Sequence, residues 1–310
     1  MTQGTWSDRK VALLLGGQTS EREISLKTGA AFRAALERIG ARVVEIDFGR
    51  EAIATLAAEP VDAALIALHG LEGEGGPVQG LLECLQIPYT GSGVQASAVA
   101  IDKIASKRAL RAQEVPTLPW IEVTRSDDPQ LQAFGVPCVV KPPREGSSVG
   151  ISIVHELSEL KAAVDLALRY DDRILVERFR QARELSVGFF DGEILGIIEV
   201  KPKDGYYDFE AKYVRNDTEY LLPAPLSEGE KALVERVAQG AWQAIGCRGV
   251  GRVDVLLDEA GEAWVLELNT VPGMTQTSIV PKMAAAQGIP FDDFVVRMLD
   301  AARLDGARGN

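Results

Sequence analysis

Apolar and polar positions recur along this chain with two different periods, and the changes of period divide it into elements. Val11–Leu15 is an uninterrupted apolar run of strand length. After Gly16-Gly17, Ser20 and Glu23 have the spacing of a capping box, which predicts a helix to about Gly40 with Leu26, Ala30, Ala34 and Ile39 facing inward. Ala41–Asp47 predicts a second strand, Glu51–Ala57 a short helix and Ala63–Leu68 a third strand. Strands alternating with helices define an α/β unit with a parallel sheet. Ligands of such sheets gather off the C-terminal strand ends, which here carry Gly16-Gly17…Glu21 and His69-Gly70. By position alone Glu21 is a helix-start charge favoured by the macrodipole, and His69 serves packing or a site equally well.

Gly91–Ala96 matches the dinucleotide pattern G-x-G-x-x-G/A, but helix follows (Asp102–Gln113) where the fingerprint needs a strand ending in an acid. Gly91-Ser92-Gly93 therefore reads as a domain boundary. Beyond it, the strand Val136–Lys141 ends in a lysine, Arg144–Gly150 is a Gly/Ser loop, and Ile151–Val154 resumes as strand. Backbone N–H groups and hydroxyls of such a loop suit phosphates, although no Walker loop is present. An amphipathic helix over Leu157–Tyr170 leads to the strand Arg173–Arg178. Glu184–Phe190 and Glu193–Val200 flank Asp191-Gly192, a hairpin turn signal. Tyr206–Tyr213 is too polar for a core strand and reads as a functional loop. Ser227 with Glu230 predicts a helix to Gly246, and terminal helices are predicted near Ser278–Gln287 and Phe291–Arg303, with Asp305–Asn310 frayed.

The chemistry concentrates in Arg248–Ser278. Val253–Leu257 and Ala263–Asn269 read as strands joined by the turn cluster Asp258–Gly261. Alternation puts Glu267 and Asn269 on one face, and an even hairpin loop adds Arg252 and Asp254. The other face is then Val253, Val255, Leu257, Trp264, Leu266 and Leu268. Three oxygen donors without His or Cys suit a hard ion such as Mg²⁺, which keeps waters and takes nucleotide phosphate oxygens. A solvated hairpin face is the bland alternative. Asn is depleted in strands, however, and the turn Thr270–Gly273 stops the strand beside the cluster, so the metal reading is preferred.

Composition narrows the class. With 310 residues, 46% hydrophobic and 25% charged, the chain is ordinary globular protein, long enough for two or three cores. A net charge of -12 argues against a nucleic-acid surface. Cys84, Cys138 and Cys247 lie far apart without a CxxC, so they are read as buried free thiols in a reducing cytoplasm. No signal peptide opens the sequence and no apolar run approaches the ~20 residues of a membrane span. A cytoplasmic protein without membrane or nucleic-acid partners is expected, and two histidines exclude chemistry needing several imidazoles.

Eight segments in register resemble the D-alanine–D-alanine ligases of the ATP-grasp superfamily: LLGGQTSEREISL (14–26), ALHG (67–70), YTGSG (89–93), DKIASK (102–107), VKPPREGSSVGI (140–151), DFEAKY (208–213), GRVDV (251–255) and ELNTVPGMTQTSIVP (267–281). The resemblance implies an α/β (α+β) ATP-grasp fold of three domains: 1–93, parallel α/β and holding the first D-alanine; 94–178, central; 179–310, with metal and substrate sites. It implies ATP as co-substrate, an acyl phosphate, and a dipeptide product for peptidoglycan. By the same resemblance Asp254, Glu267 and Asn269 hold one or two Mg²⁺ or Mn²⁺. Lys103, Lys141, Lys212 and Ser148 meet the phosphates, with Glu177 at adenine and Glu184 at ribose. Arg252 and Gly273 stabilise the oxyanion, and Ser278 binds the second D-alanine. Glu21 accepts the first ammonium with His69 nearby, while Ser147 and Tyr213 tie Glu21 to the loops at 146–150 and 206–217, which close on nucleotide. Relatives are commonly homodimers. Met274 stands where many carry Phe, and Arg180 is less hydrophobic than the adenine hinge implies. A D-alanine–D-lactate ligase is the nearest alternative, which Tyr213 argues against; another ATP-grasp carboxylate–amine ligase is a second. A nicotinamide oxidoreductase resting on Gly91–Ala96 leaves the acidic cluster unexplained.

Overall fold

The computed structural model describes residues 6–146, 149–201 and 219–306. The apolar run at the start forms β1 (Lys10–Leu15), followed by α1 (Arg22–Arg38), β2 (Arg42–Asp47), α2 (Arg50–Ala58) and β3 (Ala63–Ile66). These strands make a parallel sheet in the order β2-β1-β3. Because strand side chains alternate faces, Val11, Leu13 and Leu15 bury against Phe32, Ala35 and Leu36 of α1, while Ala12 and Leu14 bury with Leu56 and Leu82 on the other side. The inward face of α1 differs from expectation. Leu26 and Ile39 pack against the core as expected, but the fully buried positions are Ser25, Thr28, Gly29, Phe32, Ala35 and Leu36, and Ala30 is exposed. Nor does Ser20 cap the helix: Glu21 is the N-cap residue and makes no side-chain cap bond. Ser25 explains the choice of face, since its hydroxyl accepts from Gly16 N–H (2.9 Å) and donates to the Ala67 carbonyl (2.8 Å). A polar side chain that ties two strand ends outweighs burial of a methyl.

Two short helices, α3 (Gly70–Glu74) and α4 (Pro77–Cys84), complete this unit. Helices α5 (Val94–Ile101) and α6 (Lys103–Ala112) follow the Gly91-Ser92-Gly93 turn, and Ala96, Ala100 and Leu110 pack into the core of the third sheet. The second sheet is antiparallel in the order β4-β7-β5-β6, from β4 (Trp120–Val123), β5 (Cys138–Lys141), β6 (Ser152–Val154) and β7 (Ile174–Arg178). Helices α7 (Pro129–Phe134) and α8 (Leu160–Ala167) bury Leu131, Leu160 and Val164 against it.

The third sheet is antiparallel as well, in the order β10-β9-β8-β11-β12: β8 (Ala182–Phe190), β9 (Glu193–Lys201), β10 (Glu219–Leu221), β11 (Val250–Asp258) and β12 (Ala263–Asn269). Asp191 (φ 45°) and Gly192 (φ 88°) both turn left-handed between β8 and β9, as a tight primed hairpin requires. The helix α9 (Glu228–Ile245) starts on the capping box of Ser227 with Glu230 and ends at Gly246 (φ 77°). Its Trp242 stacks on Phe189 with ring centroids 4.6 Å apart. The last two helices, α10 (Ile279–Ala286) and α11 (Phe291–Asp300), return to the first unit, where Val280, Met283 and Phe294 join the core of Phe32 and Leu36. Asp305 is no frayed end: its carboxylate accepts from Val94 N–H at 2.8 Å. Cys84 is exposed rather than buried, and all three thiols are free. No helix of the described residues is long and apolar enough to cross a membrane.

Gly251 lies where β11 passes beneath Trp242; a Cβ there would stand 2.5 Å from the indole Cζ3. Gly251→Ala should therefore overpack the core and lower unfolding stability by about 1–3 kcal/mol in urea titrations. Stability equal to the parent would contradict this packing.

Candidate active site

The β11–β12 register sets Asp254 opposite Glu267 and Arg252 opposite Asn269, so the four polar side chains share one face. A bulge follows between Asp254 and Val255, and the pairing resumes as Val255 with Val265. One extra residue reverses the faces beyond it. Val265 and Ala263 are consequently buried in the core, whereas Trp264 and Leu266, expected there, are only half-buried. Leu266 and Leu256 instead line a cavity beside Glu267. Asp254 is buried and receives three hydrogen bonds: Arg252 Nε at 2.7 Å, Arg252 Nη2 at 2.8 Å and the Ser186 hydroxyl at 2.6 Å. Ser186 faces Asp254 directly across the β8–β11 pairing.

Two cavities flank this hairpin and share Lys103, Gly146 and Glu267. The larger, about 440 Å³, lies between the second and third sheets. Its walls include the apolar side chains of Leu118, Val139, Ile153, Leu256 and Leu266, with Lys141, Glu177 and Glu184 among the charged groups. Glu177 is fully buried and forms ion pairs with Lys107 (2.9 Å) and Lys141. Burial opposes its ionisation, but the two ammonium groups outweigh it and hold the carboxyl down to about 2. Burial pushes Lys107 below the usual lysine range despite its partner. Lys107 also donates to the Thr117 hydroxyl at 2.6 Å.

The smaller cavity, about 280 Å³, is bounded by the first unit and the third sheet, and includes Glu21, His69, Arg252, Asn269, Gly273 and Ser278. Glu21 sits where two glycines come close: a Cβ on Gly70 or on Gly146 would lie 3.1 Å from its carboxylate oxygens. His69 is buried, with Nε2 3.2 Å from the Thr28 hydroxyl and Nδ1 3.5 Å from Glu74, whose carboxylate accepts from Gly70 N–H at 3.1 Å. Across the cavity the Ser278 hydroxyl is 2.8 Å from that of Thr275 and accepts from Thr275 N–H at 3.1 Å. Lys103 spans the junction, donating to the Glu145 carbonyl at 3.0 Å and pairing with Glu267 at 3.2 Å.

The predicted residues thus fall into two groups. Lys103, Lys141, Glu177, Glu184 and Glu267 meet in the larger cavity, and Glu21, His69, Arg252, Gly273, Ser278, Asn269 and again Glu267 in the smaller. Asp254 lines neither but lies beneath Arg252, opposite Glu267. Ser147, Ser148, Lys212 and Tyr213, with the loop at 206–217, fall outside the described residues. Thr28, Glu74, Lys107 and Ser186 are site contacts that sequence reasoning left unassigned. A signal existed for Thr28: it follows Ser25 at helical spacing on the buried side of α1, in line with the N-cap residue Glu21.

Among the described residues no three His, Cys, Asp or Glu side chains gather as a metal cage. The donor set nevertheless suits a hard divalent ion: two carboxylates directly opposed across a ribbon plus one amide, each carboxylate already beside a cationic side chain. Such a partial set leaves coordination places for phosphate oxygens.

This arrangement, a parallel α/β unit followed by two antiparallel sheets with a cleft between them, is an ATP-grasp fold. Residues 109–300 match the family model described as D-ala D-ala ligase C-terminus. The chain is 48% identical to the D-alanine–D-alanine ligase of Citrifermentans bemidjiense over 98% of its length and 99% of that protein, and 48% identical to that of Syntrophotalea carbinolica over 96% and 97%. Solved structures agree: the Bacillus anthracis D-alanine–D-alanine ligase complexed with ATP superposes with a TM-score of 0.84 at 31% identity, covering 94% of this chain and 97% of that one. The D-alanyl-alanine synthetase A of Vibrio cholerae gives 0.86 at 30% identity, covering 97% and 100%. The chain belongs to the D-alanine–D-alanine ligase family.

The Glu177 cluster has a pH signature. Its carboxyl falls from 4.5 to about 2 on folding, so the stability it contributes is complete above the unfolded value and is lost as pH drops toward 2. Glu177→Gln strands two buried lysines and should cost about 3–5 kcal/mol at neutral pH. Denaturant titrations between pH 7 and 2 should show a shallower acid decline in the variant; parallel curves would contradict the assignment.

Proposed function

We propose that this chain uses ATP to join two molecules of D-alanine, giving D-alanyl-D-alanine, ADP and phosphate for peptidoglycan precursors. The observation that carries the proposal is the meeting of two cavities at Lys103, Gly146 and Glu267: one is large and partly apolar, the other small and charged. In this reading the nucleotide occupies the larger. Its aliphatic walls take the adenine near Glu177, Glu184 takes the ribose, and Lys103 and Lys141 point the phosphates at the junction. Asp254, Glu267 and Asn269 would hold one or two Mg²⁺ or Mn²⁺ there, supplying positive charge to the transferring phosphoryl group.

The smaller cavity takes the amino acids. Glu21 accepts the ammonium of the first D-alanine, and His69, fixed by Thr28 and Glu74, lines the same end. A carboxylate oxygen of this D-alanine attacks the γ-phosphorus, the bond to the β-phosphate oxygen breaks, and ADP leaves. The amine of the second D-alanine, whose carboxylate sits at Ser278, then attacks the acyl carbon. Arg252 and the Gly273 backbone face the tetrahedral oxyanion until phosphate departs. Ser147, Ser148, Lys212 and Tyr213 complete the set by family likeness. The relatives' names and the ATP complex of the Bacillus anthracis neighbour support this reading. Three units, 1–93, 94–178 and 179–310, a cytoplasmic location and a homodimer go with it.

An assay following ADP and dipeptide together should show ADP release that depends on D-alanine. ATP loss without D-alanine, or equal depsipeptide yield with D-lactate, would overturn the proposal. Glu267→Gln should lower kcat on the order of 10²-fold while KM for D-alanine stays within a few-fold, because the lost interaction acts on transferring charge. A variant with full kcat would remove Glu267 from the metal site.

A further inference from the structure

Arg144 and Asp171 line neither cavity, yet they hold the segment that separates the two. Asp171 lies just beyond α8, its side chain 2% exposed. Arg144 reaches it with a two-pronged fork, Nε to Oδ2 at 2.8 Å and Nη2 to Oδ1 at 2.6 Å, and Nη2 also meets the exposed Asp172 at 2.9 Å. This planar match of guanidinium to carboxylate fixes direction as well as distance, which a lysine cannot do. Asp171 raises Arg144 above the usual arginine range; burial opposes ionisation of Asp171, but Arg144 and the Arg173 N–H hold it low, so both are charged.

The backbone on either side of Arg144 is bound to one residue, Lys103. Its N–H donates to the Pro143 carbonyl at 3.0 Å, and its ammonium donates to the Glu145 carbonyl at 3.0 Å. Lys103 opens α6, whose N-cap residue Asp102 accepts from Arg173 at 2.5 Å, while Arg173 N–H donates to Asp171. A closed ring of contacts therefore runs from Arg144 through Asp171, Arg173 and Asp102 to Lys103 and back to 143–145. Gly146 comes next in the chain, against Glu21.

We propose that the Arg144–Asp171 pair is a positioning device that sets the Lys103 ammonium and the Gly146 backbone at the cavity junction, and so decides whether the acyl phosphate meets the second amine or water. The inference rests on the ligase reading above. If water attacks, its oxygen bonds to the acyl carbon, the C–O bond to phosphate breaks, and D-alanine and phosphate return while ADP has already formed. Displacing the segment thus spends ATP without dipeptide.

The test measures ADP and dipeptide in one reaction for the full chain and for Arg144→Ala and Arg144→Lys, with thermal unfolding as a check on folding. The parent should release one ADP per dipeptide. Arg144→Ala should raise that ratio about twofold or more and lower kcat by about 10- to 100-fold, the scale of a small misplacement remote from the chemistry, with Arg144→Lys between. A merely structural role would reduce the amount of active enzyme and leave the ratio alone. A ratio of one in both single variants overturns the inference; a parent that forms no dipeptide overturns the ligase reading with it.

Discussion

A carboxylate taken out of water has to be answered by a cation, and the cleft of this protein is built around that requirement. Glu177 is answered by Lys107 and Lys141, Glu267 by Lys103, and Asp254 by Arg252. Removing either member of such a pair leaves a buried charge whose desolvation nothing offsets, so acids and bases must be placed together. The compensation also prepares the cleft for a polyanion. Lysines already ordered by carboxylates lose less freedom when phosphates arrive than free surface lysines would. The acids are no ornament to a basic pocket; they hold it in shape.

Of these pairs, Lys107 with Glu177 joins two separate cores. Lys107 and Lys103 stand on a helix packed against the third sheet, Glu177 and Lys141 on the second sheet, and Glu267 and Asp254 on the third. The Lys107–Glu177 pair is therefore also a link between units. The terminal helices do the same for the other cavity: by joining the core of Phe32 and Leu36 they bring the Ser278 end of the chain opposite Glu21. A parallel sheet whose strand ends carry Gly16, Gly17 and His69 supplies one wall, and a β-ribbon supplies the other.

Much of this was legible residue by residue. The apolar runs gave the three parallel strands, Asp191-Gly192 gave its hairpin, and the alternation of Arg252, Asp254, Glu267 and Asn269 gave one polar face, because strand geometry has a fixed period of two. The failures have identifiable causes. The bulge after Asp254 moved Trp264 and Leu266 off the core face, and no residue type in that hairpin announces an inserted position. Ala30 turned outward because Ser25 and Thr28, though polar, satisfy hydrogen bonds inside. The resemblance puts Glu177 at the adenine, but no motif shows that its carboxylate is engaged by two lysines 70 and 36 positions away in the sequence.

By itself, then, the sequence determined the local periods, the turn chemistry and the oxygen-rich ribbon, and its eight ordered segments pointed to the family, since each depends on neighbours along the chain. The tertiary structure alone decided which charge answers which, that two cavities meet at Lys103, Gly146 and Glu267, and that Thr28 and Glu74 hold His69. Those relations join residues far apart in the chain, and the energy of a buried charge depends on what surrounds it in space.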